Sequence, residues 1–281
     1  VMMDQDNPAL VGAHKQYVQY MFRFDGSDDD NILLHDMSVN ISGYTQLSGN
    51  LNGIDTLTFA DSPYWVTGDI SFTGGTHVVE AGVTILFSPN TGLEIGQANM
   101  SIEGTSLNPI LLTSYSSEAG LWDGIFFNTN SDNGVSSQME YVTIEKAGAG
   151  SWNANLYCEN TNEPLITNST LKSAMGHGIR LNGADLSMDM VLIDGNEESG
   201  VYIQNSNPSL SNIDLTNNGY SGIYFADLNS VPNFYECEIN GNYFGIHYTS
   251  PDHSFPVISG IISYNNIISG ISMSGGTITA D

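Results

Sequence analysis

The sequence predicts an all-β solenoid, because one short strand pattern recurs at a nearly fixed period along residues 164–273. Each repeat closes with a Gly-(Ile/Val)-x-apolar run, which begins at Gly178, Gly200, Gly222, Gly245 and Gly270. The successive spacings are 22, 22, 23 and 25 residues, and apolar and polar positions alternate within each run as they do in strands. Strands this short cannot bury their apolar sides alone, so we expect one repeat per coil, with equivalent residues stacked about 4.8 Å apart.

The remainder of each repeat fits two further short strands. Two inward apolar positions recur in each unit, as in Val191 and Ile193. Asparagines then mark the turn before the glycine run, at Asn196, Asn218, Asn242 and Asn266. Helical repeats are excluded because no unit contains a long stretch with a period of 3.6 residues. Leucine-rich repeats are excluded because regularly spaced leucines are missing.

The repeat can be written Pro-x-Ile-x-Asn-x-x-Ile-x-x-Asn-x-x-x-Gly-Ile. In this form it resembles the right-handed, single-stranded parallel β-helix of the pectate-lyase-like superfamily, over roughly residues 65–281. The resemblance implies the architecture but no particular activity, because this fold carries lyases, hydrolases, phage tailspikes, adhesins and inert surface modules.

Two regions follow from where the period is visible. Residues 65–281 are predicted to form the parallel β-helix, and residues 1–64, where the period is unclear, an irregular N-terminal β cap. Residues 128–138 and 147–154 are rich in Asn, Ser and Gly and are expected to be longer loops. The last residues, 277–281, fall within a coil, so we expect either that the sequence is part of a longer protein or that the last coil stacks on another subunit.

The composition excludes several classes of partner. The chain has 5 Lys and Arg against 31 Asp and Glu, a formal net charge of −26. Nucleic acid and anionic membrane surfaces need clustered cations, so neither is expected as a partner. A polyanionic substrate is disfavoured for the same reason. The sequence has no apolar run long enough to insert into a membrane.

The compartment and the cysteines can also be predicted. An Asn-, Ser-, Thr- and Tyr-rich, Lys-poor composition is typical of an extracellular or cell-surface protein. Cys158 and Cys237 are the two cysteines, and both are expected to point inward from different coils. Buried free thiols are therefore predicted instead of a disulfide.

One acidic loop has the spacing of a calcium site. Oxygen-bearing side chains alternate along it and continue further on, at Asp25, Ser27, Asp29, Asn31 and Asp36. Asp30 stands where an EF-hand requires glycine, and strands instead of helices flank the loop. A solvated hairpin loop is the alternative. Ca²⁺ at this loop is the one cofactor that the sequence suggests.

The outward positions of the glycine-run strands form a candidate ligand surface. The predicted row reads Phe126, Tyr157, Arg180, Tyr202, Tyr224, His247 and Ser272, with Gln204 in the row beside it. Aromatic rings one coil apart, next to amide and carboxylate groups, could bind sugar rings. The alternative is that the rings only stack on one another and stabilise the sheet. Arg180 is expected to form a surface ion pair with Glu159.

A second outward row contains one candidate acid pair. It reads Thr143, Thr170, Leu192, Asp214, Glu238 and Ile262. Asp214 and Glu238 would lie one coil apart, close to the separation of carboxyl groups in a retaining glycosidase. In so acidic a chain, an adjacent pair is also expected by chance, and Leu192 and Ile262 flank it without polar groups.

Known catalytic motifs are otherwise missing. Gly176-His177-Gly178 is similar to the Gly-His-Gly of polygalacturonases, but the other motifs of that family are absent. A β-eliminating lyase needs a basic cluster, and the basic residues of the repeats are scattered. The sequence therefore favours a non-catalytic extracellular module that adheres or self-assembles, with glycans or neighbouring copies as partners. The alternatives are a glycoside hydrolase and a carbohydrate-binding module.

Overall fold

A computed structural model describes residues 43–249 and 260–273, except for residues 53, 55, 117–121, 129–136 and 228. These residues belong to a compact unit that spans residues 42–281. The described part contains one short 3₁₀ turn, Phe59–Asp61, and otherwise strands. No helix in this part could span a membrane.

The strands are short and follow one another closely. In chain order they are β1 Thr45–Asn50, β2 Thr56–Leu57, β3 Tyr64–Phe72, β4 Thr76–Val79, β5 Thr84–Phe87, β6 Gly92–Ile95, β7 Asn99–Glu103, β8 Ile110–Ser114, β9 Gly124–Phe127, β10 Gln138–Glu140, β11 Val142–Glu145, β12 Ala154–Glu159, β13 Leu165–Thr167, β14 Thr170–Lys172, β15 His177–Asn182, β16 Ser187–Asp194, β17 Val201–Gln204, β18 Ser209–Thr216, β19 Ser221–Phe225, β20 Asn233–Tyr235, β21 Cys237–Asn240, β22 Phe244–Tyr248, β23 Ile261–Tyr264 and β24 Ser269–Met273.

Every pairing among these strands is parallel, and each strand pairs with its equivalents in the neighbouring coils. The coils present three faces in about nine turns. The first face contains β2, β4, β7, β10, β13, the start of β16, the start of β18 and β20. The second contains the start of β3, β5, β8, β11, β14, the ends of β16 and β18, β21 and β23. The third contains the end of β3, β6, β9, β12, β15, β17, β19, β22 and β24. The predicted parallel β-helix is confirmed.

The core is a stack of equivalent apolar residues. Ile179 pairs with Val201, Val201 with Ile223, and Ile223 with Ile246. All four side chains are fully buried. The alternation seen in the sequence thus places one side of each strand inside, and each such side chain stabilises the fold by about 1.5–3 kcal/mol.

Asparagines form a buried ladder at the corner between the second and third faces. Asn196 Nδ2 donates to Asn218 Oδ1 at 2.9 Å, and Asn218 Nδ2 donates to Asn242 Oδ1 at 2.9 Å. Asn155 precedes the series and Asn266 continues it. Each amide also bonds the backbone, as where Asn196 N donates to Asn218 Oδ1 and Asn218 Nδ2 donates to Ile193 O. The predicted turn asparagines therefore satisfy buried backbone groups that the sheets leave unpaired.

The glycine of each repeat is required by this ladder. A Cβ on Gly222 would lie 2.3 Å from Ile239 Cγ2 and 2.8 Å from Gly245 O. A Cβ on Gly200 would meet Gly222 O at 2.8 Å and the Asn218 amide nitrogen at 2.9 Å. The chain approaches its neighbours too closely here for any side chain, which explains why the repeat reads Asn followed by Gly-Ile.

Extra residues leave the coils at the corner between the third and first faces. Residues 226–232 contain two more residues than the corresponding segment of the preceding coil, 204–208. The Asp227 carboxylate closes this loop by accepting from Asn229 N at 2.6 Å, Ser230 N at 3.0 Å and the Ser230 hydroxyl at 2.9 Å. It also accepts from Asn205 N of the coil below.

The parallel winding is already present before the predicted boundary at Trp65. β1 pairs in parallel with β3, and β2 pairs with β4, so the first strands described belong to the coils. The predicted cap otherwise falls on residues 1–42, which lie outside the described residues. Cys158 and Cys237 are both buried and free, as predicted.

The asparagine ladder can be tested with Asn218→Ala. This change removes four hydrogen bonds and leaves the buried Asn196 N at the corner without its acceptor. We expect it to lower the free energy of unfolding by about 2–4 kcal/mol, as measured by urea denaturation. Asn233→Ala, at an exposed position on the first face, should change it by less than about 0.5 kcal/mol. Equal effects of the two variants would contradict a stabilising ladder.

Candidate functional site

The second outward row lies where the sequence placed it, on the second face. Thr143 pairs with Thr170, Thr170 with Leu192, Leu192 with Asp214, Asp214 with Glu238, and Glu238 with Ile262. A groove of about 730 Å³ follows this row. Five residues of the row line it, from Thr170 to Ile262, so the row beneath the groove is about 19 Å long.

One wall of the groove is a tight corner between the first and second faces. Five equivalent residues at this corner adopt left-handed backbone angles, with φ between 48° and 55°: Tyr141, Asn168, Met190, Asn212 and Glu236. Asparagine tolerates this conformation, whereas Met and Glu adopt it rarely. This wall was not anticipated from the sequence, because a single left-handed residue between two strands has no clear sequence signal.

Apolar and polar groups share the lining of the groove. Met190, Leu192 and Ile262 are exposed by 52%, 37% and 61%. Asp214, Glu236 and Glu238 supply carboxylates, and Asn168 and Asn212 supply amides. Such a surface offers acceptors and donors to hydroxyl groups and apolar contacts to carbon–hydrogen faces.

The acid pair occupies adjacent coils inside this groove. Asp214 and Glu238 are direct partners across the parallel strands. Partial burial, together with the neighbouring Glu238 charge, raises the pKa of Asp214 above its usual range. The Tyr264 hydroxyl donates to Glu238 Oε2 at 3.2 Å. Tyr264 lies two residues beyond Ile262 on β23, and its contact with Glu238 depends on a side-chain rotamer that the sequence pattern does not specify.

No basic side chain of the described residues lines the groove. Lys172 and Lys146 lie 3.2 Å and 3.7 Å from Glu145 oxygens, and Arg180 lies on the third face. A ligand that carries many negative charges would meet only carboxylates here. The groove is therefore suited to a neutral or cationic ligand.

The aromatic row on the third face has the predicted order. Tyr157, Arg180, Tyr202, Tyr224 and His247 are partners in successive coils. Phe126 stacks on Tyr157 at 5.0 Å, Tyr202 on Tyr224 at 5.2 Å, and Tyr224 on His247 at 5.5 Å. The Arg180 guanidinium lies 4.8 Å from the Tyr157 ring and 5.7 Å from the Tyr202 ring. The rings of Tyr157, Tyr202 and Tyr224 therefore have neighbours along the stack in both directions.

This stacking decides what the row can offer. A sugar ring binds an aromatic side chain through an open face, and here neighbouring rings and Arg180 occupy the faces. The geometry thus favours the alternative that the rings stabilise the sheet. Gln204 pairs with Asn182 in the adjacent outward row. Partial burial of His247 lowers the pKa of its imidazole. Ligand binding by this row stays a prediction.

The expected ion pair between Arg180 and Glu159 is wrong. Arg180 Nη1 donates to Ser151 O at 3.0 Å. Glu159 Oε1 instead accepts from the Tyr157 hydroxyl at 2.7 Å and from Asn182 Nδ2 at 3.0 Å. Cation–π contacts with two flanking rings hold the guanidinium in the stack, which the charge pattern alone did not reveal.

The predicted calcium loop, with Asp25, Ser27, Asp29, Asn31 and Asp36, lies outside the described residues. Within the described residues, no group of three or more His, Cys, Asp or Glu side chains could hold a metal ion.

Comparison with known protein families supports this architecture for the regular repeats. The sequence model of a family described as "Right handed beta helix region" matches residues 154–280, where the regular repeats lie. The parallel pairing of the strands continues the same winding through the rest of the described residues. No curated protein matches the sequence significantly. Among solved structures, a mutant of the periplasmic alginate epimerase AlgG is similar, with a TM-score of 0.31 and 13% identity; the alignment covers 76% of this chain and 65% of the epimerase.

The coupling within the acid pair can be measured. Glu238→Gln removes the like charge, so the pKa of Asp214 should fall part of the way to its usual range, while the contribution of burial remains. Side-chain carboxyl titration by NMR would show this. Because the fold disfavours ionised Asp214, its ionisation costs stability as pH rises through the usual Asp range, and Glu238→Gln should reduce that cost. Glu236→Gln serves as the matched groove control, and an unchanged Asp214 pKa in Glu238→Gln would refute the coupling.

Proposed function

We propose that this chain is an extracellular, non-catalytic β-helix module that binds a neutral linear glycan along the groove of the second face. The observation that carries the proposal is the groove itself, which follows one row of equivalent side chains across five coils. A linear polymer can lie parallel to this row and repeat the same contacts from coil to coil. A compact ligand would use only a small part of it.

The chemistry of the lining supports a sugar more than a peptide or a polyanion. Carboxylate and amide oxygens accept hydrogen bonds from hydroxyl groups. The Asn212 amide nitrogen already donates to Asp189 and Ser211, and that of Asn168 to Glu140, so the groove offers mainly acceptors. The exposed Leu192 and Ile262 side chains supply apolar contacts between these polar groups. The net charge of −26 and the acidic lining oppose a polyanionic glycan.

The groove can be tested with Leu192→Glu. Binding of a panel of neutral oligosaccharides would be measured by isothermal titration calorimetry. A carboxylate on the apolar floor would have to be desolvated by the ligand, so we expect affinity to fall at least about tenfold.

Leu165→Glu is the matched control, because Leu165 is 38% exposed and lies on the first face. It should bind like the native chain. Equal loss in both variants, or no binding of any neutral glycan by the native chain, would contradict the proposal.

A second function, glycoside hydrolysis, is favoured by one observation: Asp214 has a raised pKa and lies one coil from Glu238 within the groove. In this scheme Asp214 protonates the leaving oxygen, and Glu238, held by the Tyr264 hydroxyl, attacks the anomeric carbon. The closely spaced pair would retain the configuration of the anomeric carbon.

Release of reducing ends from the bound glycans distinguishes the two functions. If the chain is a hydrolase, Asp214→Asn and Glu238→Gln should each lower the rate at least about 100-fold, while Glu103→Gln, at an exposed position on the first face, should leave it intact. If the native chain releases no reducing ends from a glycan that it binds, the non-catalytic function stands.

A further inference from the structure

A second recess lies at the outer corner between the second and third faces and shares no residue with the groove. Its volume is about 470 Å³, within the usual range for a small-molecule site. Three tyrosines line it, Tyr202, Tyr220 and Tyr224, together with Glu197 and Glu198. Gly219 forms the bottom of the recess and leaves it open because it has no side chain. The backbone excludes a larger residue there, since a Cβ on Gly219 would lie 2.3 Å from Glu197 O.

Tyr220 is the ring that stands outside the aromatic stack. Its plane makes an angle of 52° with Tyr224, 73° with His247 and 88° with Phe244. The stack members Tyr224 and His247, in contrast, are within 22° of parallel. Tyr220 is 37% exposed. The recess therefore meets aromatic rings in two orientations, and one of those rings is not covered on both sides by the stack.

Two carboxylates border the recess. Ser199 N donates to His177 Nδ1 at 3.2 Å. His177 Nε2 lies 2.9 Å from Glu198 Oε2, which also accepts from Asn153 Nδ2 at 3.0 Å. The contact with His177, together with Asn153 and the nearby Arg180 charge, lowers the pKa of Glu198 below its usual range and keeps this carboxylate ionised. Glu197, which is exposed, adds a second carboxylate.

The same aromatic stack already holds a cation one coil away. The Arg180 guanidinium lies between the Tyr157 and Tyr202 rings, with distances of 4.8 Å and 5.7 Å to their centroids. Tyr202 therefore contacts an intramolecular cation and also lines the recess. The stack partners cover the faces of Tyr202 and Tyr224. A polyatomic cation in the recess would therefore lie against the Tyr220 ring and the carboxylates.

We propose that this recess binds a small organic ammonium group, of the quaternary type found in choline. Aromatic rings beside carboxylates recognise such weakly hydrated cations. A hard metal ion instead requires several converging oxygen ligands, and the described residues hold no cluster of three or more suitable side chains. The recess shares no lining residue with the groove, so this proposal does not depend on glycan binding there.

The test is a titration of the native chain with choline chloride, with ionic strength held constant by NaCl, followed by calorimetry and by NMR of the tyrosine rings. We expect saturable binding and shifts at Tyr220 and Tyr224. The neutral carbon isostere of choline, dimethylbutanol, should bind at least about tenfold more weakly, because it lacks the charge that the rings and carboxylates attract.

Variants separate the cation–π contact from other causes. Tyr220→Ala should weaken choline binding roughly five- to thirtyfold, whereas Tyr220→Phe, which keeps the ring face, should stay within about twofold. Glu197→Gln should weaken binding severalfold. Tyr235→Ala is the matched control, because Tyr235 is 58% exposed and lies on the first face. Should Tyr220→Ala fail to fold, the isostere and Glu197→Gln still decide the question.

Three results would overturn the proposal. The first is the absence of saturable binding of choline by the native chain. The second is equal affinity for choline and its neutral isostere, which would show that the recess only collects apolar groups. The third is native-like affinity in a folded Tyr220→Ala variant together with Glu197→Gln, which would place the binding elsewhere.

Discussion

The contact on which the structure depends is the bond from one asparagine amide to the next at the corner before each glycine run. A parallel sheet pairs backbone groups within its strands, but at a corner the chain leaves the sheet and those groups lose their partners. Asn196, Asn218 and Asn242 supply the missing bonds from inside the molecule. The close approach that this arrangement requires excludes any side chain at Gly200 and Gly222, and it fixes the height of each coil above the last.

Regular stacking makes a surface of nearly identical rows, and the proposed binding sites lie where a row changes composition. On the second face, the row passes from threonine to leucine, then to two carboxylates and to isoleucine, beside a wall of left-handed residues. On the third face, a row of stacked rings holds Arg180, and the carboxylates at the adjacent corner border the recess at Tyr220. The fold repeats at a fixed spacing, and the two proposed sites are local departures from that repetition.

Much of this could be predicted from the sequence, because a period near 22 residues and a two-residue alternation assign every side chain to a row and a direction. The pairing of Asp214 with Glu238, and of Tyr202 with Tyr224, follows from these two numbers. What could not be predicted depends on rotamers and corners. The Tyr264 hydroxyl donates to Glu238, and the Tyr220 ring lies at an angle to the stacked rings. Arg180 contacts two aromatic rings instead of Glu159. Such choices depend on three-dimensional packing that a repeat pattern does not encode.

The loop closed by Asp227 shows how this architecture tolerates change. Two added residues protrude between β19 and β20, yet Ser209 still pairs with Asn233 and Ile203 with Phe225 on either side. A protein built in this way can accommodate inserted residues at its corners without disturbing its interior, because each coil contacts only the coils above and below it. Whole turns could therefore be transplanted between solenoids of matching period, which would make this chain a scaffold for grafted recognition loops.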